Sequence, residues 1–468
     1  MMANKNSLTE GSIFKALIKL AIPIMGTSFV QMSYNMTDII WVGRLGDRAV
    51  AAVGTAGFFT WLALAFILIP KIGAEVGVAQ SVGRQDIKEA KVYIKSSLQM
   101  IVCFALFYAS ILITFKRGLI QFFNIGEQDI VNNAITYLVI VSCGFVFYFI
   151  NPVFTAIFNG YGDSKTPFII NTIGLAINMM LDPLLIFGIG PFLRLGVMGA
   201  AIATVIAQVI VTSVFIVKAC KRSELFSGIN FLIKPDKQYV AKIVKLGLPA
   251  AVQNGLFTIF AMVIARIIAQ WGHIPIAVNK VGSQIEALSW MTAGGFSTAI
   301  STFTGQNYGA KKWDRVFNGY FIGIAIVSVI GIFTTILLFF KARVLFSIFI
   351  PDEESIKYGI EYLKISSLAQ LFMCIEIATA GAFNGLGKTV PPAIVGILFN
   401  LLRIPAAIML SSTMLGLNGV WWALSISCIF KGTILTTWYI LLLKNNTNTQ
   451  ELKIFLPKLK DNCPRIQT

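Results

Sequence analysis

The sequence predicts an all-α integral membrane protein in which twelve transmembrane helices form two parallel repeats of six. One observation behind this prediction is composition: 56% of the 468 residues are hydrophobic and 13% are charged, and the mean hydropathy is +0.77. These values lie outside the range of soluble domains. The other observation is an internal repeat, because a series of short motifs returns in the same order about 226 residues later. A repeated half in such a hydrophobic chain predicts a duplicated membrane bundle, the usual architecture of secondary transporters.

Motifs containing proline, glycine and amide side chains carry the repeat. Each pair keeps its order and nearly the same separation, which indicates duplication of a whole half. The matched segments are KLAIP at 19–23 with KLGLP at 245–249, FNGYG at 158–162 with FNGLG at 383–387, and Gln80 and Gly83 with Gln306 and Gly309.

Twelve apolar segments are candidates to cross the hydrocarbon core, which requires roughly 20 helical residues. Six segments fall in each half, and an even number returns the chain to its starting side, so the two halves have the same orientation. The segments are 14–42, 48–81, 90–114, 131–157, 166–188, 196–219, 239–270, 275–306, 314–340, 357–382, 389–411 and 418–443.

The repeat also predicts how the chain is divided. We expect an N-terminal six-helix lobe at 1–222, a linker at 223–237, a C-terminal six-helix lobe at 238–443 and a basic tail at 444–468. A loop within hydrocarbon would leave its backbone groups without hydrogen-bond partners, so the linker is expected in the cytoplasm.

The distribution of positive charge sets the expected topology. The net charge is +17, with 24 Lys and Arg residues in the loops and adjoining helix ends on the side of the N-terminus and 8 on the other side. This asymmetry follows the positive-inside rule and places both termini in the cytoplasm. This topology accounts for the excess of basic residues, so no nucleic-acid partner is predicted. The six cysteines are scattered and show no disulfide or metal-site spacing, so no metal site is predicted.

The first helix carries a polar stripe that is unusual for a membrane span. Gln31, Tyr34, Asn35 and Asp38 lie at helical spacing and share one face. Ionisable groups inside spans are costly and are functional hypotheses by default. Pro23 removes a backbone hydrogen bond from the same helix and gives it a place to bend.

The natural partner of Asp38 is Asp182 in the fifth span. Asn178 lies one turn before Asp182, and Thr204 in the sixth span supplies a hydroxyl. A carboxyl pair in an apolar bundle can bind and release a proton, or hold Na⁺ together with amide and carbonyl oxygens; packing between helices is the alternative. Three further polar residues form a line at i, i+4 and i+8 in the fourth span and are candidates for the substrate cavity: Asn151, Thr155 and Asn159.

The second half departs from the repeat. The positions that match Asp38 and Asp182 are Ile264 and Ile404. Its own polar residues are the remaining candidates for the substrate cavity, although buried acidic and basic side chains also form structural pairs. These candidates are Asn279, Ser283 and Glu286 in the eighth span and Glu376 in the tenth.

The chain lacks the motifs of the main enzyme classes that act in membranes. It has one histidine, His273, and shows no Ser/His/Asp set, HExxH motif or phosphate-binding loop. We therefore predict that it is not an enzyme. A membrane-embedded transferase, a channel, and a flippase or exporter of an endogenous lipid-linked or metabolite substrate remain as alternatives. Several arginines would be expected in the cavity of a flippase.

These residues together resemble the multidrug and toxic compound extrusion (MATE) family over essentially the full length, with most similarity to its DinF-like branch. The segments that carry the resemblance are 34–46 (YNMTDIIWVGRLG), 158–167, 178–183 and 286–310. The resemblance implies the twelve-helix MATE fold. It also implies an antiporter that exports amphipathic, mostly cationic organic compounds in exchange for H⁺ or Na⁺, by a rocker-switch motion of the two lobes and without a cofactor.

The resemblance also implies roles for individual residues. Asp38, Asn178 and Asp182 match the cation-coupling site, which Thr204 completes, and Pro23 matches the bend of the first helix. The Na⁺-coupled branch has an acidic residue deep in the seventh span, where this chain has Gln253, Asn254 and Phe257; this favours coupling through the first half. The expected setting is a monomer, in contact with membrane lipids, in the bacterial cytoplasmic (inner) membrane.

Overall fold

The computed structural model describes residues 8–123, 127–191, 193–231 and 233–461. Within these ranges the chain forms α-helices and one 3-10 turn, Ala269–Trp271, and no strand. The helices are α1 Ile13–Gly43, α2 Asp47–Gly83, α3 Ile87–Gln121, α4 Gln128–Cys143, α5 Phe145–Tyr161, α6 Lys165–Phe187, α7 Val197–Lys221, α8 Ser223–Phe226, α9 Lys237–Ile268, α10 His273–Gly309, α11 Trp313–Phe340, α12 Ala342–Ser347, α13 Glu353–Gly385, α14 Val390–Ser411 and α15 Leu417–Asp461.

Each of the twelve predicted spans corresponds to a long helix or to one bent pair, and the all-helical membrane fold is confirmed. Among the described residues, 10 helices are long and apolar enough to cross a membrane, and the pair α4 and α5 makes up to 11. The remaining span is α10, which has 37 residues. It is more polar than the others because it carries Asn279, Lys280, Ser283 and Glu286.

The predicted span at 131–157 is formed by two helices, α4 and α5. The chain bends by 52° between α4 and α5, with Gly144 at the break. The Gly144 N–H donates to both Ile140 O at 3.3 Å and Val141 O at 3.0 Å, so the last turn of α4 tightens. A Cβ at Gly144 would lie 2.6 Å from the Val205 side chain on α7. Glycine therefore allows α7 to pack into the break.

Two structural features follow the last span of each half. α15 continues to Asp461, beyond the predicted end of the last span at 443, and residues 462–468 of the predicted tail lie outside the described residues. The predicted linker begins with α8 and then runs along α3. There, Gln99 Nε2 donates to Phe231 O at 2.7 Å and to Ile233 O at 2.9 Å.

The first helix of each half begins in the core of the other half. Leu17, Leu20 and Ile24 of α1 lie in an apolar cluster with residues of α10, α11 and α13. Residues 239–244 of α9 pack into the cluster formed by α2, α3 and α5. Past its proline, each helix returns to its own half: Gly26 of α1 packs against Phe168 of α6, and residues 264–268 of α9 join the core of the second half. Pro23 and Pro249 therefore stand where these helices pass from one half to the other.

The two halves make close contact where α2 and α10 end. Gln80 Nε2 donates to Gly385 O at 2.9 Å, and Gln306 Nε2 donates to Gly160 O at 3.0 Å. Two glycines, Gly83 and Gly309, bring the helices together at the same place. We call these six residues the Gln80–Gln306 contact. The motifs that identified the repeat thus form a nearly two-fold contact between the halves.

Candidate functional site

Asp38 and Asp182 meet in the first half, where α1 packs against α6. Asn178 and Asp182 are one turn apart on α6 and have no exposed surface. Asn178 Nδ2 donates to Asp182 Oδ1 at 3.3 Å. The Asp38 carboxyl lies close enough to both side chains to interact with them electrostatically. The structure therefore brings together the two carboxyl groups that the sequence singled out.

Two phenols and a hydroxyl surround the carboxyl pair. Tyr34, one turn before Asp38, is buried next to Thr204 of α7. Thr204 Oγ1 donates to Ala200 O at 3.0 Å, within its own helix. Tyr137 of α4 faces both carboxyl groups and Thr204. We call these six residues the carboxyl cluster: Tyr34, Asp38, Tyr137, Asn178, Asp182 and Thr204.

Sequence analysis missed Tyr137. Its only signal was a phenol within an apolar stretch, and tyrosine is frequent in membrane helices near the interface. Its place beside the carboxyl groups depends on the packing of α4 against α7, which the sequence pattern does not specify.

The carboxyl cluster contains four buried oxygen atoms without a described hydrogen-bond partner. They are Tyr34 Oη, Asp38 Oδ1, Asn178 Oδ1 and Asp182 Oδ2. None of the ion pairs among the described residues includes Asp38 or Asp182. Repulsion between two buried carboxylates is offset when a proton or a cation lies between them. Carboxylate, amide and phenol oxygens are also hard ligands of the kind that alkali and alkaline-earth cations prefer.

The rest of the polar stripe on α1 lies apart from the cluster. Gln31 and Asn35 are exposed, and Gln31 Nε2 donates to Asn35 Oδ1 at 3.5 Å. Pro23 lies within the uninterrupted helix α1, and its missing N–H leaves Lys19 O without an intrahelical donor. Ser164 Oγ takes that place at a long 3.5 Å. The loop before α6 thus partly satisfies the carbonyl that Pro23 leaves free, and a bend at Pro23 stays a prediction.

The three predicted polar residues of the fourth span lie on α5 and divide into two environments. Thr155 and Asn159 line a cavity of about 100 Å³ between the halves, with Thr27 of α1 and with Lys71 and Glu75 of α2. This cavity adjoins Pro23, whose carbonyl accepts a hydrogen bond from Thr27 Oγ1 at 3.0 Å.

Asn151 instead faces α7. Its Nδ2 donates to Gln208 Oε1 at 2.7 Å and its Oδ1 accepts from Thr212 Oγ1 at 2.8 Å. All polar atoms of its side chain are therefore used between two helices. This geometry favours a packing role for Asn151 over the predicted place in the cavity.

We expect Asn151→Ala to lower the free energy of unfolding by about 1 to 2 kcal/mol, because it leaves buried partners on α7 unsatisfied. Unfolding in mixed detergent, followed by tryptophan fluorescence, measures this loss. Ser213→Ala is the matched control, because Ser213 is exposed and bonds only within its own helix. Equal stability of the two variants would contradict the packing role.

In the second half, the positions that correspond to Asp38 and Asp182 in the repeat are apolar. Ile264 and Ile404 both belong to one hydrophobic cluster of α9, α10, α13 and α14. Glu286 of α10 lies instead beside Tyr362 and Gln370 of α13. On the same helix, Ser283 Oγ donates to Lys280 O at 2.8 Å, and Asn279 Oδ1 is buried without a described partner.

Glu376 forms an ion pair that sequence analysis missed. Its Oε2 lies 3.0 Å from Lys431 Nζ on α15. Lys431 is 7% exposed and lines a cavity of about 290 Å³ with Gln253, Asn254 and Phe257 of α9. These three residues occupy the place where the Na⁺-coupled branch is expected to have its acidic residue. The signal for Lys431 was a charged residue in an apolar span, but its partner and cavity depend on tertiary packing.

The MatE family model matches the chain twice, at residues 23–184 and 249–409. These two matches cover more than half of the chain, and their separation agrees with the internal repeat. The chain belongs to the MatE family. The family consists of transporters rather than enzymes, which confirms the prediction that this protein is not an enzyme.

Curated relatives of this MATE protein extend over nearly its whole length. A probable multidrug resistance protein NorM of Thermotoga maritima is 29% identical over 432 residues, which are 90% of this chain and 91% of that protein. A FAD transporter of Shewanella oneidensis is 24% identical over 443 residues, 92% of this chain and 95% of that protein. A crystal structure of MATE in the bent conformation has a TM-score of 0.89 at 22% identity, covering 96% of this chain and 99% of that one.

Proposed function

We propose that this MATE protein is a secondary active antiporter that exports amphipathic, mostly cationic organic compounds in exchange for H⁺ or Na⁺. The observation that carries the proposal is the carboxyl cluster, in which Asp38 and Asp182 face each other without a basic partner among the described residues. A proton or a Na⁺ ion between the two carboxyl groups offsets their repulsion, and leaving the site restores it. Ion binding and release are thereby tied to the packing of α1 against α6.

The names of curated relatives support export of organic compounds. Several are described as multidrug resistance or multidrug export proteins. The FAD transporter of Shewanella oneidensis supports a second candidate, export of an endogenous anionic metabolite. The observation in this chain that favours the second candidate is the positive charge of Lys431 in the cavity lined by α9.

The fold suggests how ion binding reaches the substrate path. α1 belongs to the second half before Pro23 and to the first half after it. A change in how α1 packs against α6 at Asp38 therefore acts on a helix that is also anchored in the other half. We propose that the halves rock about their interface and that α1 flexes at Pro23, opening the space between them to one side at a time.

The proposed orientation follows from the positive-inside rule. Both termini, the linker at 223–237 and the basic segment from 444 onward then lie on the cytoplasmic side of the bacterial inner membrane. The Gln80–Gln306 contact closes the bundle on that side. We propose that the two lobes, 1–222 and 238–443, move as units in a monomer surrounded by lipid.

The concentration gradient of the coupling ion is sufficient to drive such an exchange, because one-for-one exchange of a monovalent cation for H⁺ or Na⁺ moves no net charge through the membrane potential. An ion gradient equivalent to 100 mV supplies about 2.3 kcal/mol per ion, which corresponds to roughly a fiftyfold concentration ratio of substrate. One coupled H⁺ or Na⁺ per cycle therefore suffices for substantial accumulation of substrate.

Transport by the full chain in liposomes tests this proposal. A fluorescent organic cation is placed on both sides, and a pH gradient or a Na⁺ gradient is then imposed separately. We expect accumulation of dye against its own gradient under one of the two conditions, and loss of accumulation when an ionophore dissipates that gradient. Movement only down the dye gradient in both conditions would overturn the antiport mechanism.

A further inference from the structure

The cavity of about 290 Å³ lies between the two halves. One wall is Leu68 of α2, and the others come from α9, α14 and α15. Its polar lining consists of three amide side chains and one charge: Gln253, Asn254, Asn400 and Lys431. No acidic residue lines it. Its local electrostatics therefore differ from those of the carboxyl cluster, which has only acidic ionisable groups besides its phenols.

Lys431 is held so that its charge faces this cavity. Glu376, which does not line the cavity, approaches Lys431 Nζ through Oε2 at 3.0 Å. An ammonium group has three N–H donors, and Glu376 is its one partner among the described residues. A lysine in the middle of a membrane span is expensive and marks substrate or ion paths. The ion pair stabilises the charge in this position, in the lining of the cavity, and uses one of these donors.

The amides beside Lys431 add hydrogen-bonding capacity. Asn400 is 3% exposed, and its Oδ1 has no described partner. Gln253 packs over Gly396 of α14, where a Cβ would lie 2.2 Å from its Nε2. Both amides can donate as well as accept hydrogen bonds. Phe257 and Leu68 supply apolar surface next to this polar group.

We propose that this cavity binds an acidic group, a carboxylate or a phosphate, of an amphipathic organic substrate. Lys431 pairs with the acidic group, the amides of Gln253 and Asn400 complete its hydrogen bonds, and Phe257 packs against the apolar part. The lining of this cavity offers no carboxylate to a free cation, so the coupling ion is left to the carboxyl cluster. Among the amphipathic, mostly cationic compounds that we propose as substrates, the protein therefore prefers those that also carry an acidic group over their esters. This inference rests on the proposed function only in placing the cavity on the transport path.

Equilibrium binding to the cavity is measured without an ion gradient. A negative result is therefore distinguishable from failure of the antiport mechanism. The probes are a rhodamine with a free carboxylate and the methyl ester of the same rhodamine, and fluorescence polarisation reports binding to the full chain in neutral detergent. Dye transport in liposomes of phosphatidylcholine then measures the same preference during export.

Three variants separate the role of Lys431 from that of its partner. Lys431→Gln combined with Glu376→Gln removes the whole pair without leaving a buried charge. Glu376→Gln alone keeps the lysine. Lys341→Gln removes a positive charge from an exposed position at the end of α11 and serves as the matched control.

We expect the wild type and the Lys341→Gln control to bind the free acid more tightly than the ester by about tenfold, the lower range for a charged hydrogen bond. The double variant loses this preference, whereas Glu376→Gln keeps it. Equal binding of acid and ester by the wild type would overturn the proposal. It would also be overturned if Glu376→Gln bound the ester more weakly than the wild type does but bound the acid equally well. A third outcome would assign the cavity to a lipid headgroup and overturn the proposal: phosphatidylglycerol abolishes binding of the acid, and transport shows no preference for the acid.

Discussion

Asp38→Asn is expected to abolish accumulation of substrate against its gradient. Asparagine keeps the size of the side chain but cannot release a proton or supply a charged ligand, so the carboxyl cluster no longer ties ion movement to the packing of α1 against α6. Accumulation then falls from roughly fiftyfold, for one coupled ion in a gradient equivalent to 100 mV, to about onefold. Export of a fluorescent cation from liposomes under the driving gradient measures this ratio.

Asp182→Asn should have the same effect, because the two carboxyl groups act as a pair. Substrate binding at equilibrium should be retained in both variants, since neither residue lines the larger cavity between the halves. Asp129→Asn is the matched control: Asp129 is an exposed carboxylate in the first turn of α4. Accumulation by Asp38→Asn at the level of this control would place the coupling site elsewhere.

The sequence predicted well those features that depend on the order of residues along the chain. Hydropathy located the spans because each span must be apolar over its whole length to cross a membrane. The repeat was visible because duplication preserves order. Asp38 and Asp182 were identifiable because a carboxylate in an apolar span is rare enough to demand an explanation.

The features that the sequence did not predict depend on which helices become neighbours. Gly144 is an ordinary residue for a membrane helix, and only the approach of Val205 makes it the site of a break. Lys431 was one basic residue among several, and its significance depends on Glu376 two helices away. Asn151 and Asn159 belong to one polar line in the sequence. In the structure the Asn151 side chain is hydrogen-bonded to α7, whereas Asn159 lines a cavity.

The passage of α1 from one half to the other was likewise hidden in the sequence. A proline in a span predicts a weak point, but it does not say which surfaces the two segments of the helix contact. The structure gives Pro23 a specific place, because the segment before it packs in the core of the second half. The same arrangement at Pro249 indicates that duplication preserved the crossing together with the proline.

Gly83→Ala is expected to slow transport by at least tenfold through the Gln80–Gln306 contact. A Cβ at Gly83 would lie 2.0 Å from Gln306 O, which is backbone and cannot turn away. Overpacking of this kind costs typically 1 to 3 kcal/mol, and 1.4 kcal/mol changes a conformational equilibrium tenfold. The variant therefore favours states in which the halves are apart at this end, and the cycle stalls because they cannot close.

Two measurements distinguish this effect from simple loss of folding. Spin labels at Lys88 and Asp314, exposed positions just after α2 and α10, report the separation of the halves in a chain without its native cysteines. We expect longer distances in Gly83→Ala together with slower dye export. Gly54→Ala is the matched control on the same helix, because a Cβ there meets no atom within 4 Å. If both alanine variants keep the wild-type distances and export rate, close approach at Gly83 does not limit closure of the two halves.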